Sequence, residues 1–156
     1  MDEKTNVMRI LDQKKVKYTE YTYLNTDAVG GQEVAEALGE DANKVFKTLV
    51  TVGKTGNHYV FLVPVNKELS LKKAAKAVGE KKVEMIKSKE LLPLTGYIHG
   101  GCSPIGMKKF FKTTIHESAK DFDTIMFSGG KIGYQVETTL DVLKKVIRFD
   151  LADIAE

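Results

Sequence analysis

The chain has 156 residues, a formal net charge of +3, 42% hydrophobic and 29% charged residues. That length fits one domain of ~100–200 residues, and the composition excludes a disordered, collagenous or mucin-like chain. The single cysteine, Cys102, excludes an intrachain disulfide and points to the reducing cytoplasm. Met1-Asp2-Glu3-Lys4 begins a polar segment with no apolar leader, and no apolar run approaches the ~18 residues of a membrane span.

In chain order, Thr5 or Asn6 caps a first helix that turns Val7, Ile10 and Leu11 inward. Val16 to Tyr23 reads as a strand. The pair Gly30-Gly31 precedes a second helix with Val34, Ala35 and Leu38 on one face and Gly39 as its stop. Val45 to Val52 and His58 to Val65 form a hairpin around Gly53-Lys54-Thr55-Gly56-Asn57. Ser70 caps a third helix whose Leu71, Ala74, Ala75 and Val78 fall at helical spacing, ended by Gly79. Val83 to Met85 is a short strand, Ser88 opens a helix that Pro93 breaks, and Tyr97 to His99 is a strand running into a glycine corner. Lys112 to His116, Thr124 to Ser128 and Tyr134 to Glu137 are further strands, and Thr139 caps a last helix through Leu140, Leu143, Val146 and Ile147. Strands and helices interleave irregularly, which predicts a single α+β domain over residues 1–156. Its mixed, mostly antiparallel sheet curls toward a barrel with helices around it.

Charge is unevenly spread. Residues 1–40 hold five basic and eight acidic side chains, residues 41–120 hold fifteen and six, and residues 121–156 hold four and seven. The basic middle suits a polyanion, although a solvated lysine surface has the same composition. None of its fifteen cations is arginine. Any nucleic-acid contact is therefore expected at phosphates rather than base edges.

His58, His99 and His116 are widely spaced and there is no Cys-x-x-Cys, so no metal site is expected. No Gly-x-Ser-x-Gly elbow or phosphate-loop motif occurs. Cys102 lies three residues from His99, but a lone cysteine more often packs as a small apolar residue than acts as a nucleophile. Lys47 is different, since it interrupts the apolar strand Val45-Phe46-Lys47-Thr48-Leu49-Val50. A lysine there needs an anionic partner, a wet cleft, or an edge from which to reach water. Two glycine corners, Gly100-Gly101-Cys102-Ser103-Pro104-Ile105-Gly106 and Ser128-Gly129-Gly130-Lys131-Ile132-Gly133, allow close backbone approach. Together with Lys47 and the basic stretch they suggest a pocket for a small molecule or a nucleotide end.

These segments, with Phe46-Lys47-Thr48-Leu49 and Leu71-Lys72-Lys73-Ala74-Ala75-Lys76, come in the order of the YbaK/EbsC family, which the chain resembles from Thr5 to Ile154. The resemblance implies a trans-editing deacylase acting on Cys-tRNA(Pro), related to the editing domain of bacterial prolyl-tRNA synthetases. It implies that the substrate cysteine's thiolate attacks its own ester, leaving orientation and charge stabilisation to the protein. Lys47 would then hold negative charge near the ester, and the Gly101 N–H would support the oxyanion. Tyr23, Thr48, Asn66, Ser103, Pro104, Gly106, Ser128, Gly129, Gly130 and Glu137 would line the substrate site. Lys72, Lys73, Lys76, Lys108 and Lys109 would meet the tRNA backbone. Mischarged tRNA(Pro) is the implied partner, with prolyl-tRNA synthetase as a second candidate, and no DNA, membrane, cofactor or metal is implied. The family commonly has an aliphatic residue at the position of Cys102. Three alternatives stay open: an Ala-tRNA(Pro) deacylase using water, a non-catalytic aminoacyl-tRNA-binding module, and a cysteine hydrolase using Cys102.

Overall fold

The computed structural model describes residues 4–156 apart from 25, 27 and 29. Met1, Asp2 and Glu3, on which the expectation of no leader partly rested, lie outside the described residues.

Thr5 accepts a hydrogen bond from the Met8 N–H at 3.2 Å and starts α1 (Asn6–Gln13). The chain then reaches β1 (Thr19–Thr22), shorter than expected, because Val16 to Tyr18 lie outside any ladder. After α2 (Gly31–Ala37) come β2 (Phe46–Gly53) and β3 (His58–Pro64), paired antiparallel from Phe46 opposite Pro64 to Val52 opposite His58. Ser70 caps α3 (Leu71–Val78), and Gly79 closes it at φ +76°, a left-handed position that favours glycine. Next are β4 (Val83–Met85), α4 (Ser88–Thr95), β5 (Lys112–His116), a 3₁₀ turn (Glu117–Asp121), β6 (Ile125–Ser128), β7 (Tyr134–Thr138), α5 (Leu140–Lys144) and β8 (Asp150–Ala152).

Two expectations about these elements are corrected. Pro93 does not break α4, which continues to Thr95 before Gly96 ends it at φ +87°. Proline removes one donor from this short helix, but the Glu90 carboxylate holds the Lys87 N–H at 2.9 Å and fixes its start. Tyr97 to His99 is not a strand; it leads directly into the turn closed by the Gly101 N–H on the Ile98 carbonyl at 3.0 Å. β8 was not anticipated, since three residues carry too little periodicity to read.

The strands form two sheets, β1-β7-β6 and β4-β2-β3-β5-β8. Four pairings are antiparallel and two, β3 with β5 and β5 with β8, are parallel. A bridge between Val45 and Met126 joins the sheets without closing a barrel. The main core lies between them, where Val7, Met8 and Leu11 of α1 meet Phe46, Val50, Leu62, Ile115, Ile125, Phe127 and Val136. The other face of the larger sheet buries Tyr59, Phe61 and Val63 against Ala74 and Ala75 of α3. Each such large apolar side chain contributes roughly 1.5–3 kcal/mol on burial, enough for a core without staples. At the hairpin end, the buried Glu80 carboxylate accepts hydrogen bonds from the Tyr59 hydroxyl at 2.6 Å and the Thr55 hydroxyl. Gly53 is required beneath it, because a Cβ there would sit 2.3 Å from the Glu80 carboxyl carbon.

Candidate active site

The two sheets separate beyond their bridge at Val45. β4 pairs with β2 only from Thr51 to Gly53, so residues 47–49 of β2 have a strand neighbour on the β3 side alone. A cavity of about 230 Å³ opens on this flank. It is smaller than the ~300–1,000 Å³ usual for small-molecule pockets. Its apolar wall is Val34, Val45, Phe46, Leu49, Val65 and Leu91, and its polar wall is Tyr23, Lys47, Thr48, His99, Cys102, Ser128 and Gln135. Gly30, Gly31 and Gly100 complete it, and a Cβ on Gly31 would lie 2.6 Å from Val65. Glycine is therefore what lets the start of α2 approach the end of β3.

Lys47 stands at the edge of this space with its side chain 29% exposed. Among the described residues its one salt bridge is a 4.0 Å contact with Glu68, whose own side chain is 82% exposed. Such a surface pair contributes at most ~1 kcal/mol, so the ammonium remains available to an incoming anion. Lys44, three residues earlier, is committed: it binds Glu137 at 2.5 Å and Thr124 at 3.1 Å. Glu137 also accepts from the Tyr21 hydroxyl at 2.7 Å. Burial opposes ionisation of Glu137, but the hydrogen bonds from Lys44, Thr124 and Tyr21 outweigh it and hold its carboxyl below the usual glutamate range.

Of the residues expected at the site, Lys47, Thr48, Tyr23 and Ser128 line the cavity. The others do not. The Gly101 N–H is occupied by the Ile98 carbonyl and is not aimed at the cavity. Gly101 instead permits close packing of the two glycine corners, since a Cβ would lie 3.1 Å from the Ile132 nitrogen. Ser103 is fully buried and its hydroxyl accepts from the Ile105 N–H; Pro104 is buried beside it. Gly106, at φ +81°, lies under the Tyr97 hydroxyl, and that hydroxyl donates to the Ile105 carbonyl. The corner therefore turns inward as a packing unit. The Gly129 and Gly130 N–H groups close the second corner on the Tyr134 carbonyl and the Ser128 hydroxyl. Asn66 is exposed and donates to Asn43 at 2.9 Å, and Glu137 belongs to the Lys44 cluster.

Residues 26–146 match the family model of the aminoacyl-tRNA editing domain. The chain belongs to that family. It is 46% identical to a protein of Enterococcus faecalis named "Putative Cys-tRNA(Pro)/Cys-tRNA(Cys) deacylase EbsC", across 97% of this chain and 93% of that protein. It is also 37% identical to a proline–tRNA ligase of Shouchella clausii over 76 residues, 49% of this chain and 13% of the ligase. A solved structure described as "a putative trans-editing enzyme for prolyl tRNA synthetase" superposes with a TM-score of 0.81 at 25% identity, covering 97% of this chain and 98% of the other.

In this editing domain the free thiol is buried. Cys102 is 7% exposed, and burial pushes its pKa up to about 12, so it remains a thiol at neutral pH. It borders the cavity. Sequence reasoning did not find Gln135, the Gly30-Gly31 approach or His99 as lining residues. Gln135 was hidden by strand alternation: Tyr134 and Val136 face the main core while Gln135 faces the cavity, opposite Ser128. Two buried polar atoms of the lining, Thr48 Oγ1 and Gln135 Oε1, have no hydrogen-bond partner.

The surface lysines divide as well. Lys73 is spent on the C-terminal segment, at 3.1 Å from Asp153 and 2.9 Å from the Ala155 carbonyl. Lys108 lies along Gly96 with its ammonium 3.5 Å from the Pro93 carbonyl. Lys72, Lys76 and Lys109 are exposed. No described helix is long and apolar enough to cross a membrane, and the described residues hold no metal-ligand cluster.

Proposed function

We propose that this editing domain deacylates Cys-tRNA(Pro), with the substrate's own thiolate as nucleophile. The observation that carries the reading is the chemistry of the cavity wall. Among the described residues its lining holds one cation, Lys47, no carboxylate, and a buried cysteine that burial keeps as the thiol. A site without its own nucleophile suits a substrate that brings one. The cysteinyl sulfur attacks its ester carbonyl, the C–O bond to the ribose breaks, and the ribose oxygen leaves and takes up a proton. The products are a thiolactone, later opened by water, and free tRNA. Lys47 attracts the terminal phosphate or the charge developing at the carbonyl oxygen, which is worth most in a partly dry site. The small volume admits a cysteine-sized group and supplies the second sieve that a synthetase pocket cannot provide against a near-isostere. Lys72, Lys76 and Lys109 meet the acceptor-stem phosphates, and the same surface suits delivery by prolyl-tRNA synthetase.

A second reading rests on His99, which is exposed at the cavity edge and can serve as a base for water. In that case alanine is the natural substrate. The product separates the two. Cysteine thiolactone trapped at early times from Cys-tRNA(Pro), with Ala-tRNA(Pro) intact, supports the first. Free amino acid from the outset and equal cleavage of Ala-tRNA(Pro) contradicts it.

A further inference from the structure

Gln135 is 7% exposed, lines the cavity, and its Oε1 accepts no hydrogen bond. Leaving a buried acceptor unpaired is costly, and protein interiors rarely tolerate it without a reason. Its strand neighbours, by contrast, are engaged. Ser128, opposite it in the β6–β7 ladder, has its hydroxyl engaged by the Gly130 N–H at 3.1 Å. Glu137, two residues along β7, is saturated by Lys44, Thr124 and Tyr21. Among the described residues no carboxylate lines the cavity, and the buried side-chain oxygens of the lining that have no partner are Gln135 Oε1 and the Thr48 hydroxyl.

Resting on the deacylase reading above, we propose that Gln135 is the specificity residue that receives the substrate's α-ammonium group. An aminoacyl ester carries one cation beside its reacting carbonyl. That cation is repelled by Lys47 and needs an acceptor within the wall. Thr48, whose hydroxyl both donates and accepts, suits either end of the substrate; an amide oxygen only accepts. A hydrogen bond to the ammonium fixes the Cα–carbonyl axis, and with it the direction from which the side-chain sulfur meets the carbonyl. The cavity then reads a free α-amino group as well as side-chain size. Esters without that group, or with it blocked, lose the contact and leave the acceptor buried and unpaired.

The test uses binding, so that it stands apart from turnover. Two stable probes are titrated calorimetrically: 3′-amino-3′-deoxyadenosine carrying cysteine in amide linkage, and its counterpart carrying 3-mercaptopropionate, which lacks only the α-amine. The full-length protein is expected to bind the first ~10–100-fold more tightly, the span set by one hydrogen bond to a charged group. In Gln135→Leu that ratio falls to near one while affinity for the des-amino probe is kept, which also reports an intact cavity. Gln135→Glu keeps the shape and the acceptor and tightens the amine probe. Equal binding of both probes by the unaltered protein, or an undiminished ratio in Gln135→Leu, overturns the proposal. So does a Gln135→Glu protein that binds the amine probe more weakly. A protein that selects the amine probe but never cleaves Cys-tRNA(Pro) keeps this inference and loses the deacylase reading; one that cleaves the ester and binds both probes alike does the reverse.

Discussion

Lys44 and Lys47 are three residues apart on one chain and have opposite lives. Lys44 sits where the two sheets meet, held by Glu137 and Thr124, while the Lys44 carbonyl accepts the Met126 N–H at 2.9 Å. Lys47 sits where the sheets have parted, with a 4.0 Å contact to an exposed carboxylate. Polar groups that hold the fold are satisfied from several sides, as Glu80 is at the far end of the hairpin. Three polar groups that face the cavity are not: Lys47 is loosely paired, and Thr48 and Gln135 each carry an orphaned oxygen. Thr114 Oγ1 and Ser118 Oγ are also buried without a partner, so Thr48 and Gln135 are set apart by their place beside the cavity as well as by unmet bonding.

The largest expected effect breaks the comparison on the Lys47 side. Lys47→Ala should lower the deacylation rate by ~10²–10³, the size of losing one preorganised electrostatic group. Its thermal midpoint should stay close to that of the unaltered protein. A large drop in the midpoint would make Lys47 structural after all. On the other side, Glu137→Gln should cost about 1–3 kcal/mol in urea unfolding, below the ~3–5 for a fully buried pair because both partners keep some solvent contact. The folded-state pKa of Glu137 lies below its unfolded value. Its contribution is therefore complete above the ordinary glutamate range and is lost as pH falls through the folded value. The stability gap between the two proteins should accordingly close in acid, and a gap that widens there would reverse the assignment. Cys102→Ala should keep the deacylation rate within about threefold, since a thiol with a pKa near 12 supplies no nucleophile. Loss of turnover in that variant, with the fold intact, would revive the cysteine-hydrolase reading. Smallest of all, Glu68→Gln should change both rate and stability by less than about twofold and ~0.5 kcal/mol.

The α+β class, the hairpin and the helix caps at Thr5, Ser70 and Thr139 were legible in the sequence, because they depend on local periodicity and on one side chain meeting a nearby N–H. Lys47 was legible for a related reason: a charged residue inside an apolar strand contradicts its surroundings. The glycine corners were legible only in part: Gly100, Cys102 and Ser128 border the cavity. Gly101, Ser103, Pro104 and Gly106 have the composition of a ligand-cradling loop, but their N–H groups and side chains close the corner on itself and against Tyr97. Whether a glycine loop faces in or out depends on what packs over it, and that is tertiary information. Gln135 was missed because a single amide in an alternating strand resembles any solvent-facing residue until the strand across from it is known.

The central claim is that the cavity beside Lys47 clears cysteine from proline tRNA. The most direct measurement is a deacylation time course with the purified protein on tRNA(Pro) charged in parallel with cysteine, alanine and proline. Rapid loss of cysteine with alanine and proline spared is the predicted result. Loss of alanine instead, or of none of the three, would contradict it.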